Sequence, residues 1–246
     1  MRMRSHMLLW GLVIAALPAP QTLARETSGT RPSRNVGATH SRAKVTAKPL
    51  PPAPASAKAG SVEPGDLLEV KQHIPDVVVD LRYATPDNFV GEQLYPDGAR
   101  CLLRRDTLER LTVAADALRE KGYRIKLWDC YRPLAVQWKM WKRFPKPGYV
   151  ANPERGSHHN RGAAVDLTLM TMEGQEVEMP TPYDSFQRAA HQGYTGGSDA
   201  SRRHRGILRR AMEEAGFRIN RSEWWHYSLP GAGRFPVRDE PLVEAE

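Results

Sequence analysis

From Arg25 to Gly60 the chain reads RETSGTRPSRNVGATHSRAKVTAKPLPPAPASAKAG, a run of Pro, Ala, Ser, Thr and Lys with almost nothing to bury. Such a segment cannot offset the entropy of ordering its backbone, so residues 25–60 are expected to be a disordered linker. Any core must then come from residues 61–246. Ahead of the linker, Arg2 and Arg4 precede an apolar run from Leu8 to Pro18, and small residues close the stretch at Ala24. This is the pattern of a secretory signal peptide over residues 1–24. The run is shorter than the roughly 20 residues a spanning helix needs, so cleavage is expected, with no stable membrane insertion afterwards. The expected address is periplasmic or secreted.

Charge separates the tail from the body. The formal net charge is +8, yet Arg2, Arg4 and the linker account for all of it, which leaves residues 61–246 balanced. A nucleic-acid-binding body, which needs a clustered basic face, therefore loses its main support. The basic linker is expected to act as a solvated tether, with at most weak contact to anionic envelope polymers or lipid.

Within the body, DVVVDLRYAT (Asp76 to Thr85) is β-branched and aromatic and predicts a strand. From Asp106 the period changes to 3.6, with Leu108, Leu111, Ala115 and Leu118 on one face. Asp106 and Glu109 are placed as a capping box, and Gly122 as the stop. YRIKLWD alternates as a half-buried strand, Pro133 opens a second helix, Ala163 to Met170 is a strand, Ser201 to Ala215 a basic amphipathic helix, and SEWWHYSL a last strand. Helices and strands interleave with connections tight enough for antiparallel pairing. The expected class is α+β, a mostly antiparallel sheet flanked by helices. A helix from Asp106 to Lys121 and a returning strand from Tyr123 to Asp129 each cover roughly 23 Å. That places Cys101 and Cys130, the two cysteines, at one end of the hairpin, and predicts a disulfide rather than two buried thiols.

SHHNRGAAVDLTL (Ser157 to Leu169) sets histidines in a loop and an aspartate on the strand that follows. A catalytic zinc takes three protein ligands and keeps one position open. Gly162 lets the loop turn, and strand alternation puts Ala164 and Asp166 on one side with Val165 and Leu167 on the other. His226 of SEWWHYS is a third ligand, and Glu223, three residues earlier, is the carboxylate to take a proton from water. In a regular strand Glu223 and His226 face opposite sides, so the segment has to twist, bulge or end there. Spacing alone does not choose between His158 and His159. Ser157 lacks the Gly-x-Ser-x-Gly elbow of a nucleophile and reads as a residue that supports the site or touches substrate. Trp224 and Trp225 read as packing around it.

These motifs resemble one family. SHHNRGAAVD matches Ser-x-His-x-x-Gly-x-Ala-x-Asp, and EWWH matches Glu-x-x-His, of the zinc D-alanyl-D-alanine dipeptidases, which include the vancomycin-resistance dipeptidases. The likeness extends to DLRYATPDNFVG and WDCYRP and so runs from about Asp66 to Tyr227. It implies one Zn2+ per domain held by His159, Asp166 and His226, with Glu223 as general acid/base and Arg132 polarising the scissile carbonyl or steadying the oxyanion. It implies the fold shared with D-alanyl-D-alanine carboxypeptidases and hedgehog-like domains. It further implies a small D-amino-acid dipeptide as substrate, with Asp184 of TPYDSF binding its amino group. The alternatives are a D,D-carboxypeptidase or endopeptidase on longer cell-wall peptides, a non-catalytic wall-binding module, and an envelope tether with a structural zinc.

Overall fold

A computed structural model describes residues 66–243; the expected signal peptide (1–24) and linker (25–60) lie outside the described residues. In chain order the elements are β1 (Leu67–Glu69), α1 (Val70–His73), β2 (Val78–Val79), β3 (Leu102–Arg104), α2 (Arg105–Arg119), β4 (Tyr123–Asp129), α3 (Leu134–Arg143), β5 (Ala164–Thr171), α4 (Asp199–Glu214), β6 (Arg218–Asn220) and β7 (Glu223–Ser228). Five strands form one sheet in the order β2-β4-β5-β7-β6, and β1 pairs with β3 in a second. Every pair is antiparallel except β2 with β4. This is the α+β architecture that the interleaved pattern predicts.

The sheet's middle strand shows why it sits there. Ala164 to Met170 are all buried, as expected of a strand covered on both faces. α2 packs on β4 and on α4, and α4 on β5 and β7. The apolar stripe of α2, through Leu108, Leu111, Ala115 and Leu118, is buried as its period requires. Ser198 caps α4 by accepting from the Ser201 amide at 3.0 Å, with Asp199 in the first turn.

Two local expectations are corrected. The Asp106–Glu109 capping box does not form: α2 starts at Arg105, the cap position is Arg104, and Asp106 lies within the first turn. There it meets the helix dipole as an acidic first-turn residue, without accepting at the cap. The strand expected over Asp76 to Thr85 shrinks to Val78–Val79, followed by a 3-10 turn at Arg82–Ala84. β2 is an edge strand with one neighbour, and past Asp80 the chain leaves the ladder. Leu81 and Tyr83 are still buried in alternation with Arg82 and Ala84. The period of two marks which side chains turn inward, and says nothing of whether the backbone finds a partner.

Cys101 and Cys130 are disulfide-bonded with Cα atoms 5.4 Å apart, as the hairpin geometry predicts. The bond ties the residue ahead of β3 to the end of β4, beside the candidate site.

Candidate active site

Three strands carry the site in one row. Asp129 of β4 pairs with Asp166 of β5, and Asp166 pairs with His226 of β7, so the three side chains stand next to one another across the sheet. His159 joins them from a 3-10 turn, His159–Arg161, closed by Gly162 in the left-handed conformation at φ 62°. A Cβ at Gly162 would stand 2.7 Å from Leu67 Cδ2 and 3.1 Å from the Arg104 amide nitrogen. Only glycine fits there, and its carbonyl is gripped by the Arg104 amide at 3.0 Å and the Thr107 hydroxyl at 2.9 Å. The start of α2 thus pins the histidine turn.

His159 Nε2, His226 Nδ1 and Asp166 Oδ1 form a triangle with sides of 3.1, 2.9 and 3.3 Å. Tetrahedral ligands at 2.0–2.1 Å from one ion are spaced by about 3.3 Å, so the donors nearly match that arrangement as they stand. Two imidazole nitrogens at 3.1 Å need either a shared proton or a shared cation. On its other side, the His159 ring donates from Nδ1 to the Cys130 carbonyl at 2.7 Å, which leaves the Nε2 lone pair for the triangle. His159 and Asp166 are buried and His226 half-buried. Among the described residues this is the one cluster of its kind, and its chemistry, two imidazoles with a carboxylate, fits a divalent transition metal. His158 stands exposed outside it, in agreement with the choice of His159 that the resemblance implies.

Glu223 reaches the same place through a break in register. β6 pairs Ile219 with Tyr227 and then Asn220 with Glu223, so β7 bulges between them. The required irregularity is there, and it leaves Glu223 Oε2 3.9 Å from His226 Nδ1. Burial pushes the Glu223 carboxyl up to about 7, with the nearby Asp166 and Asp184 charges adding and His226 and Arg132 opposing. The Asn220 amide donates to Glu223 Oε2 at 2.7 Å and holds it.

Arg132 is buried and stays charged. Desolvation is the largest single influence and acts to lower its pKa, but the Asp129 carboxylate together with Tyr83, Tyr95 and Tyr183 outweighs it and holds the guanidinium well above its usual value. Its Nε and Nη2 donate to Asp129 Oδ2 at 3.1 and 2.5 Å, and Nη1 to Gln137 Oε1 at 2.8 Å. A guanidinium has five N–H bonds, so two remain for a ligand. Asp129 was not singled out in the sequence, although it stands inside WDCYRP. It also accepts from the Tyr95 hydroxyl at 2.5 Å and the Cys130 amide at 3.0 Å, and it lies 3.3 Å from His159 Nδ1.

Ser157 accepts from the His159 amide at 3.2 Å, a supporting contact within the turn. Asp184 has φ 54°, the one left-handed non-glycine residue among those described, and takes a hydrogen bond from the Tyr83 hydroxyl at 3.0 Å. Burial, helped by the Asp166 charge, raises its carboxyl well above the ordinary range. Arg132, Ser157, His159, Asp166, Asp184, Glu223 and His226 all line one cavity of about 340 Å³, a size that suits a small ligand. Trp225 forms part of its wall, and Trp224 is buried beside it with its indole N–H on Thr181 Oγ1 at 2.9 Å.

The family described as D-ala-D-ala dipeptidase matches residues 64–244. The chain belongs to that family. Named relatives agree: a D-alanyl-D-alanine dipeptidase of Escherichia coli is 34% identical, covering 70% of this chain and 89% of its own. Those of Enterococcus faecium and Enterococcus faecalis are 33% and 34% identical, covering 66% and 61% of this chain and 86% and 84% of theirs. The dipeptidase family consists of metal-dependent peptidases, and the His159, Asp166 and His226 donors are where this member could hold its ion. Among the described residues no helix is long and apolar enough to cross a membrane.

Proposed function

We propose that this protein hydrolyses the D-alanyl-D-alanine dipeptide to free D-alanine with one zinc ion, held by His159, Asp166 and His226. The observation that carries the reading is that one cavity joins a metal-donor triangle, an acid/base carboxyl, a buried guanidinium and a carboxylate suited to an ammonium. When bound, the metal supplies Lewis acidity, polarising the scissile carbonyl and easing deprotonation of water. Glu223 accepts a proton from the attacking water and delivers it to the departing amine. The Asn220 amide holds this carboxyl 3.9 Å from His226 Nδ1, so one group stays within reach of both steps. Arg132 directs its two remaining N–H bonds at the oxygen that gains charge. Asp129 and Gln137 hold it already oriented, so little reorganisation accompanies the step.

Asp184 selects the substrate. A free α-ammonium meets a carboxylate that protein surroundings otherwise disfavour as an anion, so each charge relieves the desolvation of the other. The partners follow: a small D-amino-acid dipeptide, no nucleic acid, and only weak contact of the basic tail with the envelope. The role is in cell-wall metabolism outside the cytoplasm. The Cys101–Cys130 bond supports an oxidising compartment, and the apolar run behind Arg2 and Arg4 supports export.

The test uses zinc-loaded protein with D-alanyl-D-alanine and its N-acetyl form. Stoichiometric zinc, release of D-alanine from the free dipeptide and refusal of the acetylated one are expected, since acetylation removes the charge that Asp184 receives. Asp184→Asn should narrow that discrimination. Comparable cleavage of both compounds by the unaltered enzyme would overturn the dipeptidase reading in favour of a carboxypeptidase or endopeptidase.

A further inference from the structure

The two oxygens of Asp166 have different neighbours. Oδ1 faces the imidazoles, 2.9 Å from His226 Nδ1 and 3.3 Å from His159 Nε2. Oδ2 lies 2.9 Å from the hydroxyl of Tyr183. That hydroxyl is also 3.2 Å from the hydroxyl of Tyr83, which donates to Asp184 Oδ2 at 3.0 Å. A phenol has one proton to give, and a carboxylate is a stronger acceptor than another phenol, so Tyr183 gives its proton to Asp166. The ring cannot easily swing away. It packs against Trp128 at 4.9 Å, Trp225 at 5.5 Å and Tyr83 at 6.1 Å between centroids.

We propose that Tyr183 is a positioning residue for the metal: its hydroxyl occupies Asp166 Oδ2, so the carboxylate presents the single oxygen Oδ1 to the donor triangle. This rests on the metal reading of the site. An aspartate free to rotate about its terminal torsion offers one oxygen or two, and the ion then has to do the ordering itself. Outer partners of metal ligands commonly account for about 10- to 100-fold in affinity. The same ring serves the other end of the cavity. Asp184 follows Tyr183 directly and holds a left-handed φ of 54°, which persists only where neighbours over-determine it. Tyr183, anchored on Asp166, fixes the backbone on one side, and the Tyr83 hydroxyl fixes the carboxylate on the other. One short aromatic chain thus sets both the metal ligand and the ammonium acceptor.

Tyr183→Phe keeps the ring and removes the hydroxyl. The dissociation constants of Zn2+ and Co2+ would be measured for the full-length wild-type and variant proteins by competition with a chromophoric chelator. Visible spectra of the cobalt-loaded forms and thermal midpoints of the metal-free forms would be recorded alongside. The expected result is a dissociation constant raised about tenfold or more, with a shifted cobalt spectrum. Tyr83→Phe, which leaves the Tyr183–Asp166 bond in place, should change metal affinity less than about twofold. A hydroxyl that served the fold alone would lower the thermal midpoint of Tyr183→Phe and leave its metal affinity and cobalt spectrum where they were, and that outcome overturns the proposal. An equal loss of affinity in Tyr83→Phe also overturns it, since the effect would then belong to the phenol pair. Wild-type protein that binds neither ion refutes the metal reading itself, so the two failures are told apart by the wild-type arm.

Discussion

Replacing Asp129 with Asn is the most discriminating change available, because it removes one charge and almost no volume. Asp129 Oδ1 accepts from the Tyr95 hydroxyl and the Cys130 amide, while Oδ2 accepts twice from Arg132. In Asp129→Asn the two fixed donors on the first side claim the amide oxygen. The amide nitrogen is then forced against the guanidinium, donor against donor. Asp129 is fully buried and Arg132 is 7% exposed, so the guanidinium loses its counter-charge where water cannot replace it. Breaking a buried pair this way costs roughly 3–5 kcal/mol. Arg132→Met should cost a similar amount for the mirrored reason, a carboxylate left with no cation. The double variant should cost clearly less than the two together, by about 2–3 kcal/mol, because each single change strands a charge that the other removes. Urea denaturation with a chelator present gives these numbers free of metal linkage. Turnover of the metal-loaded Asp129→Asn enzyme should fall as well, since Arg132 is no longer held. A single-variant cost under about 1 kcal/mol, or costs that simply add, would refute the view that Asp129 exists to hold a buried Arg132.

Two further changes probe neighbouring parts of the site. Glu223→Gln should keep the metal, shown by metal analysis, and lower kcat by about 10² to 10⁴, whereas a loss under tenfold would mean another group moves the proton. Cutting the Cys101–Cys130 bond, which spans 29 residues, by replacing both cysteines with Ala should lower stability by roughly 3–4 kcal/mol in guanidinium denaturation. An unchanged midpoint would show that the hairpin is closed by packing alone.

What could be read from the chain in advance was the chemistry with a local signature. His159 and Asp166 stand seven residues apart around a glycine, and Glu223 and His226 three apart, so spacing and strand period brought the candidates forward, and the family resemblance chose His159 over His158, before any tertiary information. The bulge in β7 was foreseeable for the same reason, as two residues with one task sat on opposite faces. Asp129 and Tyr183 had no such signature. Asp129 matters through Arg132, three residues on, and Tyr183 through Asp166, seventeen residues back, and each acts through contacts that exist only once the sheet has closed. The edge strand β2 failed for a related reason. Its alternation records burial against the core, while strand length depends on neighbours that the segment does not encode.

The row Asp129, Asp166, His226 also explains why this site belongs to a sheet rather than to loops. Cross-strand register puts the three side chains adjacent without any of them reaching, and only His159 has to be delivered by a turn. Such a row is sensitive to register: a slip of β5 by one residue would bring Val165 or Leu167 to the face that carries the donor triangle and turn Asp166 towards the core. The elements that prevent the slip cluster at the start of β5. Gly162 is clamped through its carbonyl by the first turn of α2, the Leu229 amide donates to the Ala163 carbonyl at 2.9 Å, and His159 Nδ1 is tied to Cys130, itself bonded to Cys101. Each of these contacts fixes the same coordinate, the position of β5 along its neighbours. The disulfide therefore stands one hydrogen bond away from a candidate metal donor, and the chain links its cross-link to its candidate catalytic geometry through the single carbonyl of Cys130.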